Sequence, residues 1–326
     1  MGHCISIPNL MARRVSPSPE LRPSMQQAIC YSISVPPLQI QLLGKDRLHS
    51  GSKADIYVVM SQAPNVLHGT LLAVKIIRDK TCMLSVRLSE ESILQAYASR
   101  GRRHSHPNVD VILLASRKTD QSPYIVSRYY SRGSFLVDLK TRSRPDQQRL
   151  AMIKGLVNGL HYIHGQGIVH GHICEANLLC DDNGGVVICD AEFDDTFGLF
   201  ASSCEVQAAM HRSYRHMPHE RLISDDDAPL LPASKAADIY AIAVCITQMW
   251  TLDIPFARKN KFEVMIILRK LRNLEIEIER PASVPAIVWD NISDCFAVDP
   301  QDRPTAGELA ERFEGCGVPS ERKVGE

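Results

Sequence analysis

The sequence lacks several features that would each define a class of protein. It carries no net charge, since 37 lysines and arginines balance 37 aspartates and glutamates, and this argues against nucleic acid as the main partner. Its ten cysteines form no C-x-x-C pair, which favours free thiols in a reducing compartment over disulfides or zinc. Prolines and arginines interrupt the first 30 residues, unlike a secretory signal. The longest apolar run, 239–250, is too short to span a bilayer. We therefore expect a cytoplasmic protein.

The length and composition allow a substantial core. The 326 residues, 44% of them hydrophobic, suit one large two-lobed domain with a short extension, or two modest domains. Residues 1–38 are rich in serine, proline and arginine without apolar periodicity, which predicts a disordered arm. Strands are predicted from β-branched stretches at 55–60, 71–77, 109–115 and 124–129. Helices are predicted from apolar spacing at 84–99, 147–164, 239–250, 261–274, 287–296 and 306–314. A small sheet region followed by a larger helical one predicts an α+β fold.

The first residues match a lipidation motif. The opening MGHCIS fits M-G-x-x-x-[ST], with Gly2 as the acceptor of a myristoyl chain. Cys4 could then take a second acyl chain, and two lipids are what stable anchoring requires. The alternative is a chance match, so we expect membrane association only if Gly2 and Cys4 are acylated.

The most informative segment lies between residues 169 and 192. It reads VHGHICEANLL and then VVICDAE. This spacing is that of His-Arg-Asp-x-x-x-x-Asn followed by Asp-Phe-Gly, so the chain resembles a eukaryotic protein kinase domain. The resemblance implies that Asn177 and Asp190 are the metal ligands. It also places His172 where the family has the aspartate that accepts the proton of the substrate hydroxyl, which leaves no confident catalytic base.

The resemblance extends over residues 39–315 and leaves a short tail at 316–326. It implies a two-lobed fold of the kinase type. The small N-lobe, 39–127, would hold a β-sheet and one helix, and a hinge at 128–131 would lead to a larger, mainly helical C-lobe at 132–315.

Several residues of the N-lobe resemble the family's phosphate-binding positions. LAVK at 72–75 resembles Val-Ala-Ile-Lys, which implies that Lys75 grips the α- and β-phosphates of ATP. Glu90, with Glu91 as the fallback, is the implied partner of this lysine, and a solvated helix face is the alternative. In the phosphate-covering loop, LHSGSKADI, only Gly51 is retained. The side chains that replace the other glycines limit how closely this backbone can approach phosphates.

The segment YIVSRYYSRGSF at 124–135 resembles the hinge of tyrosine and tyrosine-kinase-like families. The resemblance implies that Ser127 is the gatekeeper and that the backbone around Tyr129 and Tyr130 contacts the adenine. A small gatekeeper opens space behind the purine, so bulky inhibitors should be tolerated.

Three positions of the C-lobe resemble the family's structural anchors. MPHE at 217–220 stands where Ala-Pro-Glu closes the activation segment, which implies an ion pair between Glu220 and Arg303. Asp238 matches the aspartate that anchors the backbone of the catalytic loop. These positions predict an intact scaffold.

Other positions depart from the family pattern. His172 cannot reproduce the geometry or the negative charge of a carboxylate, and Cys174 replaces the lysine that steadies the γ-phosphate. Ala191 replaces the phenylalanine that links the lobes, and Gly171 replaces the arginine that pairs with a phosphorylated activation loop. Glu192 replaces a glycine, and it could either coordinate a metal or repel phosphates.

These losses predict a pseudokinase with residual ATP binding, acting in signalling or scaffolding through protein partners. Lys75, Asn177 and Asp190 would bind the nucleotide with Mg²⁺ or Mn²⁺. One alternative is an active atypical kinase that transfers the γ-phosphate to serine, threonine or tyrosine of proteins, using His172 or no base. The other is a structural interaction module that binds no nucleotide.

Overall fold

The computed structural model describes much of the chain from residue 31 onward. The described residues are 31–35, 38–42, 48–50, 54–61, 69–77, 106–111, 113–116, 124–191, 214–222, 233–256 and 258–316. Several predicted features lie outside them: Gly2, Cys4, Gly51, Glu90, Glu91, Glu192, the helix at 84–99, residues 1–30 of the arm and residues 317–326 of the tail. Among the described helices, none is long and apolar enough to cross a membrane.

The chain divides into two compact units. Unit 1 comprises Met1–Ser105 and Val111–Tyr129, and unit 2 comprises His106–Asp110 and Tyr130–Glu326. The boundary between Tyr129 and Tyr130 falls inside the segment predicted as the hinge.

Unit 1 is built on an antiparallel sheet. Its strands are β1 Tyr31–Val35, β2 Leu38–Leu42, β3 His49–Ser50, β4 Ala54–Ser61, β5 Leu71–Ile77, β6 Leu114–Ser116 and β7 Tyr124–Arg128. They are ordered β1-β2-β4-β5-β7-β6, with β3 paired to β4. β4, β5 and β7 confirm the predicted strands at 55–60, 71–77 and 124–129. Among the described residues of the stretch 109–115, the strand takes in only the end, from Leu114.

Apolar side chains of the three central strands form the buried side of this sheet. Leu72 and Val74 are two residues apart on β5 and therefore point to the same face. Both are buried, as are their cross-strand partners on the same face, Val59 of β4 opposite Leu72 and Val126 of β7 opposite Val74.

Strand β1 corrects the prediction that residues 1–38 form a disordered arm. Tyr31–Val35 pairs with β2 in the register Tyr31↔Leu42 to Val35↔Leu38. The sequences YSISV and LQIQL alternate apolar and polar residues with the period of a strand, on either side of two prolines. The general richness in serine and proline hid this signal, and the prediction is wrong for these five residues.

Unit 2 is mainly helical. Its helices are α1 Phe135–Thr141, α2 Asp146–Gly165, α3 His219–Leu222, α4 Lys235–Thr251, α5 Lys261–Arg272, α6 Ala286–Ile292 and α7 Ala306–Glu314. A small hairpin adds β8 Leu178–Cys180 and β9 Val186–Ile188. The helices predicted at 147–164, 239–250, 261–274 and 306–314 are confirmed. The segment 287–296 divides into α6 and the 3-10 turn Ser293–Phe296.

Two helices organise the core of unit 2. α2 buries one face through Leu150, Ile153, Leu156, Leu160 and Ile163, whose spacing is that of an amphipathic helix. α4 is buried on almost every side, and the hydroxyl of its N-cap, Ser234, accepts from the N–H of Ala237. α4 therefore forms a fixed support inside the unit.

The segment His106–Asp110 belongs to unit 2, although it was predicted to belong to the N-lobe. The Asn108 amide donates to the carbonyl of Val186 at 2.7 Å, and Asn108 O accepts from the N–H of Ile188 at 2.8 Å. Two glycines of α2 make room for it. A Cβ at Gly159 would lie 2.9 Å from Asn108 O, and one at Gly155 would lie 2.5 Å from Asn108 Nδ2.

A buried carboxylate on α1 forms ion pairs with three arginines. The side chain of Asp138 is fully buried and accepts from Arg132 Nε at 2.8 Å, Arg142 at 3.0 Å and Arg144 Nε at 2.7 Å. Burial by itself would raise the pKa of Asp138, but the hydrogen bonds and charges of Arg132 and Arg144 outweigh it and hold the pKa below its ordinary value. The carboxylate fastens the loops on both sides of α1.

We expect Asp138→Asn to lower the free energy of unfolding by about 3–5 kcal/mol at neutral pH, the usual cost of breaking a buried ion pair. Since the pKa of Asp138 is depressed in the folded chain, its contribution is complete above about pH 4 and is lost as the pH falls through the folded-state pKa. Urea unfolding followed across acidic and neutral pH measures both effects.

The matched control is Asp290→Asn, which changes an exposed carboxylate on α6. Its effect should stay within about 0.5 kcal/mol. Equal stability of the two variants at neutral pH would contradict the role given to Asp138.

Candidate active site

The carboxylate of Asp238, in the first turn of α4, fixes the backbone of the loop that contains His172. Its Oδ2 accepts from the N–H of His170 at 2.8 Å, and its Oδ1 accepts from the N–H of Gly171 at 2.9 Å. His164 Nε2 lies 3.0 Å from Oδ2. Because α4 is itself buried, the loop is tied to a rigid element, as predicted for Asp238.

His170 connects this loop to the strand that precedes Asp190. Its ring is fully buried, with Nδ1 3.1 Å from the N–H of His172 and Nε2 3.0 Å from the carbonyl of Cys189. A carbonyl can only accept, so Nε2 carries the proton and Nδ1 is the acceptor. Burial lowers the pKa of His170, in agreement with this neutral ring.

Asn177 holds the same loop from the other side. Its Nδ2 donates to the carbonyl of His172 at 2.9 Å, and its own carbonyl accepts from the N–H of Cys189 at 2.8 Å. The backbone of His172 is therefore bonded at both its N–H and its C=O. The position is kept in place although its side chain differs from that of the family.

The two predicted metal ligands lie at the same end of the small hairpin. Asn177 directly precedes β8, Asp190 follows β9 by two residues, and Leu178 pairs with Ile188. Asp190 has φ +63°, a left-handed conformation that aspartate tolerates better than most residues. An amide oxygen and a carboxylate are oxygen donors of the kind that Mg²⁺ and Mn²⁺ prefer, so the residues fit the implied metal.

The predicted nucleotide residues of unit 1 lie on neighbouring strands. Lys75 of β5 is half-buried and aligned with Ile56 and Ile125. Ser127 of β7 is half-buried opposite Ala73.

The two hinge tyrosines belong to different units. The N–H of Tyr129 donates to the carbonyl of Leu71 at 3.2 Å, within unit 1. The hydroxyl of Tyr130 donates to Asp110 Oδ1 at 2.9 Å, within unit 2.

The predicted ion pair of Glu220 and Arg303 is confirmed. Two guanidinium nitrogens donate to the two carboxylate oxygens at 2.6 and 3.0 Å, and Arg303 Nε donates to the carbonyl of Ala297 at 2.9 Å. The guanidinium also stacks on the buried ring of Tyr240 at 5.4 Å. This bidentate, enclosed geometry is the strong form of an arginine–carboxylate pair. It joins α3, which contains Glu220, to the segment before α7.

Sequence reasoning missed two groups beside the loop. Arg221 donates to the carbonyl of Gly171 at 2.8 Å, and Gly171 has φ +80°, a conformation that suits glycine. His216 bonds to Gln248 Oε1 at 3.0 Å and lies 3.0 Å from Glu175 Oε2. No local pattern marks these residues, because the segments that they join are distant in the sequence.

Glu175 is held in its charged form by this arrangement. Burial by itself would raise the pKa of Glu175, but the hydrogen bond and charge of His216 outweigh it, and the pKa lies below its ordinary value. The loop after His172 therefore carries a carboxylate that stays ionised at neutral pH.

Comparisons of the sequence with known proteins all point to the same family. The model of the protein kinase domain matches residues 46–312. The chain is 26% identical over 273 residues to the probable serine/threonine-protein kinase SIS8 of Arabidopsis thaliana, covering 81% of this chain and 24% of that protein. It is 22% identical over 282 residues to the serine/threonine/tyrosine-protein kinase HT1 of the same plant, covering 85% of this chain and 67% of that protein.

A further relative is the serine/threonine-protein kinase CTR1 of Arabidopsis thaliana, 27% identical over 247 residues, which are 73% of this chain and 28% of that protein. The chain thus spans about a quarter of the length of SIS8 and CTR1. Since the family model covers most of the chain and includes both the sheet unit and the helical unit, the chain belongs to the protein kinase domain family.

Proposed function

We propose that this chain is a pseudokinase that retains nucleotide binding, lacks phosphotransfer and acts in signalling by presenting its surface to protein partners. The observation that carries the proposal is His172, which stands where the family has its proton-accepting aspartate. The backbone of His172 is bonded at both ends, so the loop is kept while the carboxylate is absent.

An imidazole is a poor substitute for this carboxylate. An imidazole is either neutral or positively charged, so it brings no negative charge to the substrate hydroxyl, and a metal ion bound nearby would favour its neutral form. Phosphoryl transfer depends on positioning and charge stabilisation. The exchange therefore removes an electrostatic contribution as well as a proton acceptor.

A second loss lies two residues further along the same loop. Cys174 stands where the family has the lysine that steadies the γ-phosphate, and its thiol is buried. The loop therefore lacks both of the charged side chains that act on the transferring group. Restoring one of them leaves the other missing.

The retained residues support binding of ATP with Mg²⁺ or Mn²⁺. The amide nitrogen of Asn177 is engaged with the carbonyl of His172, so its Oδ1 is the atom that would bind a metal, together with the carboxylate of Asp190. When bound, the metal neutralises the charge of the phosphates. Lys75 is assigned to the α- and β-phosphates because of its position in the strand motif.

Two alternative functions each have an observation in their favour. An active atypical kinase is supported by the relatives, which are named as serine/threonine kinases, and by the ability of an imidazole to accept a proton. A structural module without nucleotide is supported by the loss of two glycines around Gly51.

The first prediction concerns phosphotransfer. We expect the full chain, incubated with radiolabelled ATP and either Mg²⁺ or Mn²⁺, to incorporate no more phosphate into itself or a general protein substrate than Asp190→Ala does. The reason is that both loop charges are missing. Asp290→Ala is the matched control for removal of an aspartate. Turnover in the wild type that Asp190→Ala abolishes would refute the proposal.

The second prediction concerns binding. We expect ATP with Mg²⁺, at ten times its dissociation constant, to stabilise the wild-type chain by about 1.4 kcal/mol. Lys75→Ala and Asp190→Asn should each reduce this shift, because one removes a phosphate contact and the other a metal ligand. Differential scanning fluorimetry with and without metal measures it.

The matched control is Lys270→Ala, which changes an exposed lysine of α5 and should leave the shift unchanged. A wild-type chain that millimolar ATP does not stabilise would favour the structural module. A Lys75→Ala shift equal to that of the wild type would contradict the assignment of this lysine.

A further inference from the structure

The turn that ends α5 holds Leu274 in a left-handed conformation, with φ +57°. The N–H of Leu274 donates to the carbonyl of Leu271 at 3.0 Å. The N–H of Glu275 donates to the carbonyl of Lys270 at 2.9 Å. This is the hydrogen-bonding pattern of a Schellman motif, whose left-handed position usually holds glycine because a Cβ is strained there. A leucine at this position therefore works against the stability of the turn.

The side chain of Leu274 is not buried in return for this strain. It is 77% exposed, more than any other large apolar residue that the structure describes. Leu252 and Phe256 have similar φ values, +52° and +54°, but both pack against the cores of unit 2, and their burial can offset the strain. Because Leu274 is both strained and exposed, a contact with another molecule is the best explanation for a leucine here.

Further exposed apolar side chains lie on either side of this turn. Phe262 and Ile266 of α5 are four residues apart and therefore share the outer face of the helix, whose opposite face is buried. They are 71% and 42% exposed, and Ile276 after the turn is 38% exposed. Exposed apolar side chains that cluster in this way mark an interaction surface.

Charges of opposite sign lie before and after Leu274. Arg269 is exposed and follows Ile266 by three residues, on the same outer face, and the last turn of α5 carries three basic residues in all. After the turn, Glu277 and Glu279 are exposed. The acidic end would repel an acidic protein or an anionic membrane, and the basic end would repel a basic protein. We call the following residues the α5 surface: Phe262, Ile266, Arg269, Leu274, Ile276, Glu277 and Glu279.

We propose that the α5 surface binds a second copy of this chain, around a two-fold axis near Leu274. A surface that is basic at one end and acidic at the other is complementary to itself under such an axis. The axis places Arg269 of each copy against Glu277 and Glu279 of the other. The two Leu274 side chains meet between these charge pairs, where they are removed from water. The other apolar side chains of the α5 surface widen the contact.

The test measures self-association of the full chain by sedimentation velocity, from nanomolar to high micromolar concentration. We expect a reversible equilibrium between monomer and dimer in the wild type. Leu274→Gly should raise the dissociation constant roughly tenfold or more, because it removes the central apolar contact. The same variant should unfold in urea at a midpoint no lower than that of the wild type, measured below the dissociation constant, because glycine relieves the backbone strain. Val137→Ala, which changes an exposed valine of α1, is the matched control and should dimerise as the wild type does.

Three results of this experiment would overturn the proposal. One is a wild-type chain that stays monomeric at every concentration, as it would if the α5 surface served another protein or a membrane. Another is open-ended aggregation in place of a dimer. The last is a Leu274→Gly variant that dimerises as tightly as the wild type.

A charge exchange tests the two-fold pairing directly. Arg269→Glu, and separately the double variant Glu277→Lys and Glu279→Lys, should each dimerise more weakly than the wild type, because like charges then face each other. An equal mixture of the two proteins should associate again, since every facing pair in the mixed dimer has opposite signs. A mixture that associates no better than its components would refute the pairing. Asp190→Ala should dimerise as the wild type does, so this test stands apart from that of nucleotide binding.

Discussion

The carboxylate of Asp238 is the contact on which the candidate site depends. It sits on a helix that is buried almost all round, and it accepts two consecutive backbone N–H groups of the loop. The ring of His170 then connects this loop to the carbonyl of Cys189, which is next to Asp190. Each step uses backbone groups or buried polar side chains.

The framework of the protein kinase domain is kept around position 172. The N–H and the C=O of His172 both take part in the bonds that maintain the loop. The pair of Glu220 and Arg303 stabilises a different part of the same unit. The bond from Arg221 to the carbonyl of Gly171 adds support to the loop.

The sequence allowed the regular parts to be predicted and left the tertiary contacts hidden. Helix α7 and strand β5 were placed with their observed bounds because apolar spacing and local composition agree there. Asp238, Glu220 and Arg303 were found because their spacing matches a family pattern. Strand β1 was missed since serines and prolines obscured its alternation. Arg221 and His216 could not be identified, because their burial and their bonds to Gly171 and Gln248 arise only when distant segments meet.

The packing of Asn108 against α2 has a consequence for dissecting the molecule. Residues 106–110 precede two strands of the sheet in sequence, yet their backbone bridges to Ile188 and fills the groove at Gly155 and Gly159. A fragment that begins at Tyr130 would lose this edge and open the groove to water. The helical unit is thus not a continuous stretch of polypeptide, and it can be expressed whole only if the earlier segment is supplied, in the same chain or as a separate peptide.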